Sequence, residues 1–477
     1  MGKPFLLPFI ALIISALCAF VQSGDPYLFF TWNVNYATLS PFGVPQTGHH
    51  HQRPVPRLAP NYTYQFQVKD QIGSYYYYPH TALHRAAGGY YGPINVHSRN
   101  LIPIPFDKPE AEFNVLVGDW YTKGHVTLKK FLDSGRSLGR PDGVIINGKS
   151  GNEAPTWNLI PGKVYRYRIC NVGMKNSVNV RIQGHTMKLV EIEGSHTVQN
   201  VYDSLDIHLG QCYSVLVTAD QTPKDYVCRL DRFTKTVLTT TGTIHYEGSN
   251  IPASTELPAA PGNAPEGIAW SINQFRSLRW NLTASAARPN PQGSYHYGKI
   301  NITRTIKIVN SASRGEDKLR FADEPPADAE DHITTAPNVV NGTFRNFIEI
   351  IFENHEKSIQ AWHLTGYSFF AVAIEPGRWT PAKRANYNLI DAISRHTIQV
   401  YPNSWAAIMT TLDNCGMWNL RSVSLERNYL GQQLYISVLS PERSLRDEYL
   451  LPVGQLLCGI VKDLPVPAPP PPPPADA

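Results

Sequence analysis

Imidazoles and thiols are the side chains here best suited to hold a metal or pass electrons, and the 477-residue chain has 16 His and 6 Cys. His49, His50 and His51 stand in a row. His80 and His84 lie in Tyr78-Pro79-His80-Thr81-Ala82-Leu83-His84, and His363 in Gln360-Ala361-Trp362-His363-Leu364-Thr365-Gly366-Tyr367. Nitrogen and thiolate ligands suit copper and zinc. Adjacent strand residues point to opposite faces, so the run at 49–51 converges poorly on one ion. Cys18 falls in an N-terminal apolar run. Cys170, Cys212, Cys228, Cys415 and Cys458 are then odd in number, so at least one is unpaired or pairs outside the chain. No Gly-rich phosphate loop, Gly-x-Ser-x-Gly elbow or His-Glu-x-x-His pair is present, which leaves nucleotide, esterase and zinc-protease chemistry without a signal. Tyr75 to Tyr78 offer ring faces to a sugar, but in a strand half of them face a core, and core packing is the favoured reading.

The elements that must position these groups read as strands. Segments 113–117, 164–170, 212–218, 347–352, 406–411 and 434–439 alternate apolar and polar residues. In 164–170, Tyr165, Tyr167 and Ile169 share one face, and Arg166, Arg168 and Cys170 share the other. Long helical periodicity is missing, while 25 Tyr, 18 Phe, 39 Pro and 34 Gly favour short strands and many turns. The pattern predicts several β-sandwiches. Pro-rich linkers at 103–109 and 252–265 divide the chain into blocks at 25–105, 110–250 and 265–462, the first oddly small. The proline-rich tail, 463–477, is expected to be extended polyproline II: a spacer, a wall-contacting tip or an inert solvated end.

Residues 1–23 read as a secretory signal peptide: Met-Gly-Lys, an apolar run over 4–20, then small residues Val21 and Ser23 before Gly24. That run is short for a membrane anchor, and no other stretch is long enough to span a bilayer. Asn61, Asn281, Asn301 and Asn341 are glycosylation acceptors. The net charge is +5 without a basic block. Nucleic acid is therefore not an expected partner, and weak attraction to an acidic matrix such as wall pectin is.

Long runs across nearly the whole mature chain resemble the ascorbate oxidase group of multicopper oxidases, and more closely its plant SKU5-similar and pollen-specific branch. They include Asp25-Pro-Tyr-Leu-Phe-Phe-Thr-Trp-Asn-Val, Gln67-Val-Lys-Asp-Gln-Ile-Gly-Ser-Tyr, Arg168-Ile-Cys-Asn-Val-Gly, Trp280-Asn-Leu-Thr-Ala-Ser-Ala-Ala-Arg-Pro-Asn-Pro and Gly416-Met-Trp-Asn-Leu-Arg-Ser. The resemblance implies an all-β fold of three cupredoxin-like Greek-key β-sandwich domains, secretion, and a role in pollen or pollen-tube walls. Catalytic members hold a mononuclear copper on one Cys and two His, and a trinuclear cluster of His between the first and third domains.

Against those motifs this chain is depleted. The first His-x-His pair has no match, because the segment after Gln46 that carries it in relatives is missing. In the second motif the ligand positions are Tyr78 and His80; His84 stands where the family has Gln. In the third they are Gln360, His363 and Thr365. In the fourth, aligned through Trp418 and Gly431, they are Arg421, Ser422, Val423, Arg427 and Gln432, so the thiolate is gone. Cys415 lies upstream of that position and is expected to be structural. Another segment is missing after Phe321, so the first domain and part of the third read as shortened. In relatives a first-domain Cys ties to the position of Cys458, which is left here as a free or abnormally paired thiol.

A whole four-ligand zinc site contributes roughly 10–16 kcal/mol, so His80 and His363 alone support no four-copper centre. No cofactor is expected, and copper enters by family resemblance only. His80 and His363 are either packed imidazoles or one residual metal site across the domain interface. The leading functional reading is a non-enzymatic, secreted glycoprotein of the apoplast or cell wall, binding wall polysaccharide or wall or plasma-membrane proteins. The alternative is a copper oxidoreductase, ascorbate oxidase-like, using the residual site. A third is an inactive product of a shortened reading frame.

Overall fold

The computed structural model describes residues 30–31, 35–50, 66, 68, 71–79, 85, 91–98, 102–232, 238–256, 258, 267–284, 300–310, 313–315, 318–320, 338–441 and 462–463. The signal segment, His51, Asn61, His80, His84, Cys458 and residues 464–477 lie outside the described residues.

Strands dominate. From Ala111 to Tyr246 they form two facing sheets. One runs Ser195–His196, Met187–Ile192, Cys212–Thr218, Val164–Asn171, Ala111–Trp120, Gly143–Ile146. The other runs Leu205–Ile207, Val178–Ile182, Tyr226–Arg232, Thr239–Tyr246, Thr156–Leu159. From Arg304 to Leu439 the plan recurs, with Arg304–Asn310, Phe347–Asn354, Ser404–Thr411, Phe369–Pro376, Ser394–Arg395 opposite Val339–Thr343, Gln433–Leu439, Gly416–Ser422, Gln360–Leu364, Thr397–Val400. Each sheet contains a crossover between strands far apart in sequence, such as the parallel pairs of Ala111–Trp120 with Val164–Asn171 and Arg304–Asn310 with Phe347–Asn354. The first region contributes two hairpins, Asn35–Leu39 with Gln46–His50 and Gly73–Tyr77 with Gly92–Val96. His49 and His50 are consecutive residues of a strand, opposite Tyr36 and Asn35.

Alternation along Val164–Asn171 holds, and both faces are buried. Tyr165, Tyr167 and Ile169 join the main core. On the other face Arg168 donates to Glu112 Oε2 at 2.8 Å and to Ser74 Oγ at 2.9 Å, and Arg166 lies 2.8 Å from Glu191. The hairpin Gly73–Tyr77 closes over this face, with Ser74 Oγ 3.1 Å from Ser214 Oγ. Cys170 stands directly opposite Cys212 in the neighbouring strand, and the two form a disulfide. It closes a separation of 42 residues, a constraint of about 4 kcal/mol in the loop-entropy account. Cys228 is a free, buried thiol, and Cys415 is half-buried.

Two helices were not legible as such. His125–Asp133 buries Leu128 and Leu132, and Gly267–Ser277 buries Ile272 and Phe275. Both are too short to impose a long helical period on the sequence. The second wedges between the sandwiches: Gln274 Oε1 accepts from Asp206 N at 2.8 Å, and Ser271 Oγ lies 2.8 Å from Tyr401 OH.

The three regions meet around Gly194. Gly194, at φ +90°, sits so close to the first region that an added Cβ would lie 2.4 Å from Ile72 O. A side chain there would force the hairpin away. Beside it, Glu193 Oε2 accepts from His396 N at 2.8 Å and Thr397 N at 3.1 Å. Residues 72–75, 193–194 and 395–397 thereby fix the hairpin of Gly73–Tyr77 with Gly92–Val96 against both sandwiches, and the candidate site lies alongside.

Candidate metal-ligand positions

Gln360, Ser422, Arg427 and Gln432 come together at one edge of the third region. Ser422 N donates to Gln432 O at 3.0 Å, and Gln432 N to Arg427 O at 2.9 Å. Gln360 and Arg427 both donate to Ser358 Oγ, at 3.0 and 3.3 Å. The Arg427 guanidinium is held by both Glu356 oxygens, with Nη1 2.6 Å from Oε1 and Nη2 against Oε2. Ser422 and Gln360 are each 1% exposed. Among the described residues, their Oγ and Oε1 atoms have no hydrogen-bond partner. Where the resemblance expects an ion, a fork-shaped ion pair shares Ser358 with Gln360, and two buried oxygens are left without a partner among the described residues.

Tyr78, His363, Thr365, Arg421 and Val423 lie at the junction of the hairpin with the third region. His363 pairs across the sheet with Arg421 on one side and Thr397 on the other. Arg421 Nη2 donates to the Tyr78 hydroxyl. The Arg421 and Arg85 guanidiniums lie 6.0 and 4.8 Å from the Tyr78 ring centroid. Arg85 donates to Val423 O at 3.1 Å and Gly173 O at 2.9 Å, so it bridges the two sandwiches. Thr365 Oγ1 donates to Asn419 O at 3.0 Å, and Val423 packs with Leu209 and Ala361. A small cavity of about 20 Å³ beside Tyr78, Arg85, Asp119 and Trp120 has room for about one water.

His363 is half-buried, its Nδ1 3.3 Å from Thr397 Oγ1 and its ring edge-on to His396 at 5.3 Å. His396 in turn stacks on Tyr75 at 5.6 Å. Burial, then His396 and Arg421, hold the His363 imidazole well below its usual pKa, so it is neutral. Burial pushes the Glu193 carboxyl up against the pull of Arg395.

The described residues do not fit a copper centre. A divalent ion about 5 Å from the Arg421 guanidinium would be repelled by about 7 kcal/mol at an effective dielectric of about 20. That offsets a large share of the roughly 10–16 kcal/mol that a complete four-ligand set supplies. At the other position the nitrogens of Arg427 are all donors, and Ser422 offers a hydroxyl in place of a thiolate. Among the described residues no three His, Cys, Asp or Glu side chains group as a metal site.

Arg85, Glu356, Ser358 and His396 belong to these two places and were not singled out from the sequence. Glu356 carried a faint signal, an acidic residue just ahead of a ligand motif. Arg85 and His396 carried none, because each meets the site through a fold contact far along the chain. Of the glycosylation acceptors, Asn301 and Asn341 are exposed and Asn281 is half-exposed, its Oδ1 accepting from Thr283 N at 3.1 Å.

The sandwiches, and a site whose positions coincide with copper-ligand motifs, define a multicopper-oxidase class of protein. Models of the multicopper oxidase family match residues 43–101, 111–249 and 305–444. The chain belongs to that family. It is similar to an L-ascorbate oxidase homolog of Nicotiana tabacum, 56% identical over 96% of this chain and 98% of the relative. It is also similar to the monocopper oxidase-like protein SKU5 of Arabidopsis thaliana, 37% identical over 97% of this chain and 94% of the relative. The tobacco alignment runs over 545 positions against 477 residues here, so it crosses gaps in this chain. A laccase from Botrytis aclada superposes with a TM-score of 0.68 at 19% identity, covering 85% of this chain and 86% of the laccase. At that identity the likeness shows the fold alone.

Proposed function

We propose that this chain is a secreted glycoprotein of the plant cell wall or apoplast, built on the multicopper oxidase fold, that acts by binding and not by oxidation. The observation that carries the reading is the pair of arginines at aligned ligand positions. Arg427 is locked to Glu356, and Arg421 is hydrogen-bonded to Tyr78. Each is held in a side-chain cross-link of its own, and Arg421, which has no carboxylate in that contact, also opposes a metal by charge. The apolar run at 4–20, the exposed acceptors Asn301 and Asn341, and the Cys170–Cys212 disulfide support export to an oxidising compartment. Pollen or pollen-tube walls are the site that the resemblance implies.

A second reading is favoured by His363, whose neutral imidazole keeps a lone pair available. In it, one copper sits between His363 and His80. Metal analysis and oxygen uptake of the secreted protein separate the two. The binding reading expects no stoichiometric copper, no intense thiolate-to-copper absorption and no uptake with ascorbate or a phenol. One copper per chain, with uptake abolished in His363→Ala, would establish the second reading instead.

A further inference from the structure

We propose that the excursion between strands Ala111–Trp120 and Gly143–Ile146 is a docking surface for a linear, carboxylate-bearing polysaccharide. The identity of that partner rests on the extracellular reading above. The excursion carries helix His125–Asp133 and the turns around it. From 123 to 142 stand Lys123, Lys129, Lys130, Arg136 and Arg140 against Asp133 and Asp142, an excess of three positive charges, where the whole chain has +5. A short surface segment thus holds most of the net charge of the molecule.

The pairing pattern leaves that charge outward. Lys129 Nζ is 2.6 Å from Asp133 Oδ2, and Asp142 Oδ2 accepts from Thr122 N at 2.7 Å and Thr122 Oγ1 at 2.8 Å. Lys123, Lys130, Arg136 and Arg140 are exposed and have no carboxylate at ion-pair distance among the described residues. Arg136 lies over the Phe131 ring at 4.6 Å.

The platform is rigid. Leu128, Leu132, Leu138 and Tyr121 pack with Met174 and Leu425 into an apolar cluster of their own. Glu426, from the third region, accepts from Ser137 Oγ at 2.9 Å, Leu138 N at 3.2 Å and Lys175 Nζ at 3.0 Å. Tyr429 donates to Asp133. The acidic groups nearest the cations are therefore occupied, and the backbone beneath them is fixed, so a polyanion binds without a large cost of ordering the protein. Cations strung along a surface segment, and not gathered in a pocket, suit a polymer with repeated charges better than a single small anion. Val126 is the exposed large hydrophobic residue of the helix, too little apolar surface for insertion into a bilayer.

The test uses the purified, full-length glycoprotein on immobilised polygalacturonate, on a neutral β-glucan and on phosphatidylserine vesicles. Binding is expected on polygalacturonate, weakening about tenfold between low and moderate salt. The combined Lys123→Glu, Lys130→Glu and Arg140→Glu variant should lose at least about tenfold in affinity with an unchanged melting temperature. The neutral variant, with Gln at the same three positions, should fall between. Reversal at exposed Lys149, Arg276 and Lys357, an equal change in net charge elsewhere, should cost far less. Affinity of the Glu variant within twofold of the parent would overturn the proposal. So would equal binding to the neutral glucan or tighter binding to the vesicles. Failure of export, read by an absent glycosidase shift, would leave this in vitro result standing and count against the extracellular reading alone.

Discussion

Arg427 and Arg421 stand at two aligned positions of one motif, yet the molecule treats them in opposite ways. Arg427 is neutralised inside its own sandwich: its side chain is 14% exposed, that of Glu356 18%, and both terminal guanidinium nitrogens are used. Arg421 reaches out of the sandwich to the phenol of Tyr78, just after strand Gly73–Tyr77, with a second guanidinium, Arg85, on the same ring. Within one sheet system, a partner of opposite charge is supplied by the adjoining turn. At a junction between regions, charge is spread over a ring and a hydroxyl, and the same contact fastens one region to another. A space that other family members give to metal is thus filled by a neutral pair in one place and by oriented cations in the other.

The comparison breaks first at Glu356. Glu356→Ala leaves the mostly buried Arg427 guanidinium without its carboxylate. It should cost about 2–4 kcal/mol, somewhat less than the roughly 3–5 kcal/mol for a fully buried pair, because some solvent screens this one. Urea unfolding measures it, and a loss below about 0.5 kcal/mol would reduce the pair to a surface contact.

Arg421→Met should cost less globally, about 1 kcal/mol, because a hydrogen bond and a cation–π contact are lost and no charge is stranded. Its signature is local: amide exchange should quicken in Gly73–Tyr77 and stay unchanged in Gly143–Ile146. A global loss equal to that of Glu356→Ala, with uniform exchange, would erase the distinction between the two sites.

The smallest effect is on pH dependence. The folded pKa of His363 lies below the ordinary value of about 6.5, so the unfolded chain binds more protons there. This term therefore favours folding less as pH falls below about 6.5 toward the folded value. His363→Gln should flatten the fall in melting temperature across that window. A slope unchanged in His363→Gln would place the acid sensitivity elsewhere.

Much of the fold was legible because strand alternation is local. Tyr165, Tyr167 and Ile169 announce one core face without reference to any other part of the chain. The opposite face was not legible as buried: Arg166 and Arg168 look solvent-directed until Glu112, Glu191 and the hairpin at Ser74 are brought over them. The short helices were missed for the related reason that their apolar stripes are one or two residues wide and gain meaning only against a neighbouring surface. At the candidate site the residue types at the ligand positions could be read directly. What now fills those positions could not.

The amino-acid sequence by itself determined the family and the all-β character, and it puts no Cys and few His at the positions that the resemblance aligns with ligand motifs, because each is written in residue identity and short-range spacing. Tertiary structure alone decided which partners replaced them. Glu356 lies 71 residues before Arg427, and Tyr78 lies 343 before Arg421. It also decided which two of the remaining cysteines join: strand register sets Cys170 opposite Cys212 and leaves Cys228 buried alone. Side chains so distant along the chain meet only after backbone hydrogen bonding has fixed the register of the strands and packing has fixed the sheets.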